Sequence, residues 1–391
     1  MRPARLSPRF SLASPAAAAD PASLWYRVTR LDWWLIGLIV ALAGIGFAIL
    51  YSAADGSWQP WAGKQALRFG IGMVMMIAVA TISFTLWWRT AYLVYALALA
   101  LLVMVEFTGV GEGSQRWISL GFMNLQPSET MKLALVLALA RYFHDLDENQ
   151  VDRIVVLIPP AVLTGIPALL VLRQPDLGTA MILVALAVAV TFLAGLAWWK
   201  FALGAALTAA AGPLAWRFLL HDYQRDRVLT FLDPGRDPHG AGYHILQSKI
   251  GLGSGGLFGK GFIGGTQSQL SFLPEKHTDF IFTLLAEEFG FFGSILLAAI
   301  IIGIIGCCYA IMMRCESVFA RVLVLGLATN FFLYAFINMA MVMGLLPVVG
   351  VPLPLVSYGG TSMLTLLIGF GFIQSAAIHR GRLPLRHRGI S

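Results

Sequence analysis

Residues 33–51 read WWLIGLIVALAGIGFAILY, nineteen positions without a charge. At about 1.5 Å per helical residue this run spans most of a hydrocarbon core roughly 30 Å thick. Arg27 and Arg30 stand just before it and Trp33-Trp34 open it, the pattern of an uncleaved span with an interfacial aromatic anchor, which puts the preceding residues in the cytoplasm. Those residues, Met1 to Ala22, are rich in Arg, Ser, Pro and Ala and have no apolar centre, so they resemble neither a cleaved signal nor a helix. Residues 1–31 are expected to form a disordered cytoplasmic tail.

The pattern of residues 33–51 recurs along the chain. Of 391 residues, 58% are hydrophobic and 12% charged, and mean hydropathy is +0.77; a soluble domain carries about 25% charged residues. Ten apolar runs approach spanning length, near residues 33–52, 67–86, 91–109, 127–144, 154–172, 177–197, 201–220, 279–313, 321–346 and 360–378. An even count puts both termini on one side. With the amino terminus inside, 15 Lys/Arg fall in the tails and inner loops, against four in the short outer connections, Lys64, Arg68, Arg116 and Arg173, as the positive-inside rule requires. The expected fold is an all-α polytopic membrane protein with ten transmembrane helices and both termini cytoplasmic. Its membrane domain covers residues 32–378, with a large extracytoplasmic loop at 221–278 between helices 7 and 8, and a basic cytoplasmic tail follows at 379–391.

Some function classes drop out on composition. The formal charge of +7 fits cytoplasmic anchoring, so no nucleic-acid partner is expected. The three cysteines, Cys307, Cys308 and Cys315, lie within nine positions of one another near the end of one apolar run, which excludes a disulfide framework and a paired-cysteine metal site.

The long loop is polar and Gly-rich, and loops of that length are usually functional. Within it Gly251-Leu252-Gly253-Ser254-Gly255-Gly256 formally matches G-x-G-x-x-G, and Gly259-Lys260 resembles the end of a Walker A motif. A nucleotide fold needs a strand before and a helix after, so a flexible or closely packed loop is the plainer reading, with a backbone-lined phosphate cradle left open.

Four polar segments fall on the outer face. In the first, Lys276-His277-Thr278-Asp279-Phe280 delivers Asp279 to the start of a span, as a helix-end carboxylate or a functional one; Glu287 and Glu288 lie deeper, where carboxylates usually face a cavity or a partner. In the second, Arg116 is followed by Pro127, which fits a first helical position, so Glu129 and Lys132 share one helix face and are expected to pair. The third, Arg173-Gln174-Pro175-Asp176, adds Asp176 at the same level, in a plain turn or a site. The fourth, residues 347–362, is too rich in Pro and Gly for a continuous helix, and irregular backbone at membrane depth survives only when buried or lining a cavity. Four segments on one face suggest one site for an amphiphile with an anionic head, met by Arg116, Lys132, Arg173, Lys249 and Lys260.

These segments resemble the SEDS family (shape, elongation, division and sporulation), and within it the RodA branch, from about residue 32 to 378. The resemblance is carried by QRWISLG (115–121), LQPSETMK (125–132), RQPDLGTA (173–180), HDYQRDRVLTFLDP (221–234), GAGYHILQSKIGLGSGGLFGKG (240–261), GTQSQLSFLPEKHTDFIF (265–282), LAEEFG (285–290) and GLLPVVGVPLPLVSYGG (344–360). It implies a multi-pass protein of the bacterial cytoplasmic (inner) membrane, a peptidoglycan glycosyltransferase that polymerises lipid II outside that membrane for cell elongation and rod shape. Transfer would be inverting, with lipid pyrophosphate leaving. Implied partners are a class B penicillin-binding protein transpeptidase, other elongation-complex membrane proteins, lipid II and membrane lipids.

By the same resemblance the essential carboxylate is Asp279, and Glu129 and Lys132 form a family ion pair in the same cavity. Substrate contacts are expected from Arg116, Glu129, Lys132, Asp176, Lys249 and Lys260. Charge relief for the pyrophosphate would come from the cationic side chains or from a divalent cation, Mg²⁺ or Mn²⁺, whose ligands the spacing does not assign; no organic cofactor is expected. A lipid flippase would instead place titratable groups through the membrane depth, and a scaffold would need no outer carboxylate.

Overall fold

The computed structural model describes residues 24–109, 116–119, 121, 124–146, 153–218, 222–237, 240–265 and 276–379. The tail at 1–23, the carboxyl-terminal tail from 380 and residues 266–275 of the long loop lie outside the described residues. Thirteen described α-helices run in chain order: α1 Leu24–Thr29, α2 Trp33–Ala53, α3 Ala62–Thr81, α4 Phe84–Thr108, α5 Pro127–Asp145, α6 Ile158–Arg173, α7 Leu177–Leu193, α8 Trp198–Phe218, α9 Asp222–Leu232, α10 Ala241–Ser254, α11 Ile281–Met313, α12 Val318–Val342 and α13 Gly360–Ile378. The fold is mostly helical, as expected, with one antiparallel pairing among the described residues, of Ile118 with Leu125 and Ser119 with Asn124. Among the described residues seven spans are long and apolar enough to cross a membrane: α2, α3, α4, residues 154–173 (a 3₁₀ turn running into α6), α11, α12 and α13, with α7 a shorter apolar helix.

Local chemistry sets many boundaries. Asp32 caps α2 by accepting from the Leu35 amide at 3.1 Å, Ser317 caps α12, and Pro127 starts α5, where its missing N–H costs nothing. Two boundaries differ from expectation. The run expected at 67–86 is α3 at 62–81, because extended backbone at Ile82 and Ser83 ends it early, while Lys64 and Arg68 lie inside its first turns. Residues 24–29, expected to be part of the tail, are helical instead, and Arg27 donates to the Thr81 carbonyl at 2.5 Å.

α5 is the central helix. From Pro127 to Ala140 every side chain except Thr130 is buried, as expected of a helix enclosed on all sides. It packs against α4, α6, α7, α12 and α13, so Glu129 and Lys132 at its start are held deep in protein. α8, by contrast, is exposed along nearly all its length.

The described part of the long loop is largely helical. α9, a 3₁₀ turn at Pro234–Arg236 and α10 occupy much of it, and α10 packs on α11 and α12. The G-x-G-x-x-G match begins near the end of α10, with a helix before it and no strand, so the nucleotide reading fails; within it Gly255 lies against the Ala286 carbonyl, whereas Gly253 has open space around it.

Candidate active site

A cavity of about 260 Å³ opens where the polar ends of these helices meet. Its walls come from separate stretches of chain: Arg116 beside the short hairpin, Glu129 and Lys132 from α5, Asp176 from the start of α7, Arg227 from α9, Thr278 and Asp279 before α11, Tyr334 from α12, and residues 349–352 and 358–362 before and at the start of α13. The four polar segments of the sequence thus share one site.

The ion pair expected at the start of α5 is present. Lys132 Nζ lies 2.7 Å from Glu129 Oε1, and both side chains are buried. The Tyr334 hydroxyl donates to the other Glu129 oxygen and accepts from Lys132, closing a three-residue network between α5 and α12. Such satisfaction is what burial demands, since an isolated ion in this setting costs several kcal/mol or more.

Arg116 reaches the turn between α6 and α7. It donates to the Gln174 carbonyl at 2.8 Å and the Pro175 carbonyl at 2.5 Å, and its guanidinium lies 3.9 Å from Asp176. Asp176 caps α7, accepting from the Thr179 amide at 3.1 Å and its hydroxyl at 2.9 Å. The segment is thus a turn, and Asp176 stands on the cavity wall.

Asp279 is half-buried on the cavity wall. It is not the helix cap: that position belongs to Phe280, with no side-chain cap bond. The backbone around it is fixed instead. Asn338 donates from Nδ2 to the carbonyls of Asp279 at 2.8 Å and Val351 at 2.7 Å. Ser357 Oγ donates to the Thr278 carbonyl at 2.6 Å while accepting from the Leu353 amide at 2.7 Å. Gly350, at φ +71°, faces the carboxylate; a Cβ there would stand 3.4 Å from Asp279 Oδ2. The irregular 347–359 segment is half-buried to exposed up to Gly350 and mostly buried from Val351 to Ser357, and its residues 349–352, 358 and 359 line the cavity.

Three expected contacts lie elsewhere: Arg173, at the end of α6, borders a separate apolar groove with Ile166 and Leu169. Lys249 is exposed on α10 with its chain against Gly344, and Lys260 pairs with Glu287 at 2.7 Å, both outside this cavity. Sequence reading missed Tyr334, Asn338 and Arg227. The first two share one face of α12 with Asn330, at i, i+4 and i+8, and polar residues so spaced in an apolar span are the signal that points to them. Arg227, which donates to the Val348 carbonyl at 3.4 Å, lies inside the HDYQRDR motif.

The wall offers a divalent cation few ligands of its own, so such an ion would be held mainly through the substrate's phosphates. Among the described residues no group of three or more His, Cys, Asp or Glu side chains is placed to hold one. Two of the three carboxylates on the wall, Glu129 and Asp176, are engaged by cations and donors within the chain.

Membrane-length helices enclosing a polar, mixed-charge cavity at their ends define a polytopic membrane protein with a buried polar site. The chain belongs to the cell cycle protein family of FtsW, RodA and SpoVE, whose model matches residues 25–382. It is 43% identical over 363 residues to the peptidoglycan glycosyltransferase MrdB of Escherichia coli K12, covering 92% of this chain and 97% of that one. It is 36% identical to a probable peptidoglycan glycosyltransferase FtsW of Trichlorobacter lovleyi, covering 92% and 96%. Among solved structures it is similar to a chain from a peptidoglycan synthase complex, with a TM-score of 0.80 and 31% identity over 90% of this chain and 99% of that one. The rod shape determining protein RodA of Thermus thermophilus matches with a TM-score of 0.68 and 28% identity, over 90% and 98%.

Proposed function

We propose that the chain is a peptidoglycan glycosyltransferase that polymerises lipid II on the outer face of the bacterial cytoplasmic membrane, serving cell elongation. The observation that carries the chemistry is the half-buried Asp279 on the wall of a cavity that also presents Arg116, Arg227 and the Glu129–Lys132–Tyr334 network. The 4-hydroxyl of one lipid-linked disaccharide attacks the anomeric carbon of the growing chain. The new C1–O4 bond forms as the bond to lipid pyrophosphate breaks, with inversion at C1. The hydroxyl proton passes to Asp279, and the departing charge stays on the pyrophosphate. General-base help of this kind is worth about 10²- to 10⁴-fold.

Arg116 and Arg227 are the cations we assign to the pyrophosphate, because fixed donors aimed at developing charge stabilise it without reorganising. Glu129 and Lys132, with Asp176, form the wall that the polar head meets. Ten spans with both termini cytoplasmic complete the reading, α5 and α8 joining the eight apolar helices; this puts the cavity outside, where a class B penicillin-binding protein would crosslink the product. The test is polymer formation from purified lipid II by reconstituted protein. Asp279→Asn keeps size and insertion but removes the base, so at least about 10²-fold loss is expected; near-normal polymer from well-folded Asp279→Asn sinks the assignment.

A further inference from the structure

α11 is one helix by length but two by hydrogen bonding. At Gly290 the backbone leaves helical geometry, with φ 65° and ψ −156°. In an unbroken helix the carbonyls of Glu287 and Glu288 would accept from the amides of residues 291 and 292. Here they accept from Lys260 and Gly261, each at 3.0 Å. The amides of Phe291 and Phe292 donate to the carbonyls of Gly256 at 2.9 Å and Leu257 at 3.2 Å. The Gly-rich loop after α10 is therefore spliced into the broken ladder and satisfies both of its edges, which an apolar setting demands.

The fit admits no side chain at two key points. A Cβ at Gly290 would stand 2.4 Å from the Gly259 nitrogen, and one at Gly259 would stand 2.0 Å from the Glu288 carbonyl oxygen. Both glycines also have positive φ, which other residues rarely adopt. Lys260 adds a side-chain clamp, its Nζ 2.7 Å from Glu287 Oε1, so the same residue grips Glu287 through both backbone and side chain. Glu287 is fully buried.

The break separates two unlike pieces. Residues 281–288 are buried throughout, whereas Phe291 and Phe292 are exposed. The buried piece, about 12 Å long at 1.5 Å per residue, carries Asp279 just before its first turn. One end is held by Asn338 and Ser357, the other by the spliced loop.

We propose that the loop at 255–261, locked by Lys260, is a splint that sets the position of Asp279, making Lys260 and Gly259 positioning residues for glycan polymerisation. This rests on the assignment of Asp279 as the base. It gives the end of the G-x-G-x-x-G stretch and the deep Glu287 carboxylate a role that the cavity does not supply, and it explains why Lys260 turns away from the cavity.

The test combines kinetics on reconstituted protein with hydrogen exchange of the 255–261 segment. Lys260→Met is expected to speed exchange in that segment and to lower kcat at least tenfold, with KM for lipid II within about twofold. Lys260→Arg, which still pairs with Glu287, is expected to restore most of the rate. An unpaired buried Glu287 threatens folding, so Lys260→Met/Glu287→Gln is measured beside it and should show the same kcat loss in folded protein. Gly259→Ala should behave like Lys260→Met, while Gly253→Ala, with open space around it, should not change the rate. Faster exchange with unchanged kcat overturns the proposal, as does a rise in KM alone, which would return Lys260 to substrate binding. Asp279→Asn assayed alongside separates the two readings. If it still makes polymer, the base assignment fails; if it is inactive and Lys260→Met is fast, only the splint fails.

Discussion

The side-chain amide of Asn338 donates 2.8 Å to the main-chain carbonyl of Asp279, fixing the backbone of the carboxylate rather than the carboxylate itself. The same amide also ties down Val351 in the opposing cavity wall. Asn338→Ala removes both bonds and leaves two enclosed carbonyls short of a donor, a cost of about 1–3 kcal/mol for each unsatisfied group. A kcat at least tenfold lower is expected, with a lower melting temperature in detergent. An Asn338→Ala protein that melts earlier yet turns over normally would show that the bond serves stability alone.

The Glu129–Lys132–Tyr334 network predicts a particular pattern of coupling. Glu129→Gln or Lys132→Met alone strands a buried charge, costing roughly 3–5 kcal/mol. The double variant should recover part of that loss, because the stranded charge is gone. Tyr334→Phe should cost less than either charge deletion. Denaturation of the four proteins completes the cycle, and additive losses would mean that the pair does not interact.

Much of this site was legible before folding. Pro127 marked the start of α5, and from it the i,i+3 spacing of Glu129 and Lys132 predicted their pairing. Asp176 was read in a turn or a site, though not as the cap of α7, and the Pro/Gly content of residues 347–362 required a buried or cavity-lining irregular segment. Long-range partners were less accessible. Tyr334 meets Glu129 across 205 positions, and a lone tyrosine in an apolar run reads as core. The break at Gly290 was hidden for a different reason: glycine inside a helical pattern is usually tolerated, and nothing local says that a distant loop will complete the ladder. Lys249 and Lys260 were placed with the substrate because charge in an outer loop carries no address; α10 and the splice take them to other surfaces.

Glycines against backbone give a packing test. A Cβ at Gly178 would stand 2.7 Å from the Val349 carbonyl oxygen, where α7 supports the cavity segment, whereas Gly44 has open space. Gly178→Ala should cost about 1–3 kcal/mol as overpacking does, and Gly44→Ala should be neutral or slightly stabilising in its helix. Thermal melts of the two variants decide it.

Membrane orientation can be read by thiol labelling. Lys249 and Arg89 are both exposed and fall on opposite faces in the proposed ten-span topology. In intact cells an impermeant reagent should label Lys249→Cys, while Arg89→Cys should react only after permeabilisation. The reverse result would put the cavity on the cytoplasmic face and remove lipid II polymerisation from it.

Arg116 and Arg227 should differ in what they lose, although both line the cavity. Arg116 is anchored by two carbonyls and lies near Asp176, so Arg116→Ala frees the α6–α7 turn as well as removing a cation. Arg227 makes one long bond to Val348, so Arg227→Ala mainly removes charge. A charge-assisted hydrogen bond is worth about 1.5–3 kcal/mol, roughly ten- to more than a hundredfold in rate. Arg227→Ala should therefore lower kcat/KM in that range with little change in melting temperature, and Arg116→Ala should lower both. Arg227→Lys should regain part of the rate, since it keeps the charge but not the two-pronged geometry. Lipid II polymerisation measured with the melts separates the cases. An Arg227→Ala protein that turns over at the wild-type rate would leave Arg116 and Lys132 to meet the pyrophosphate without it.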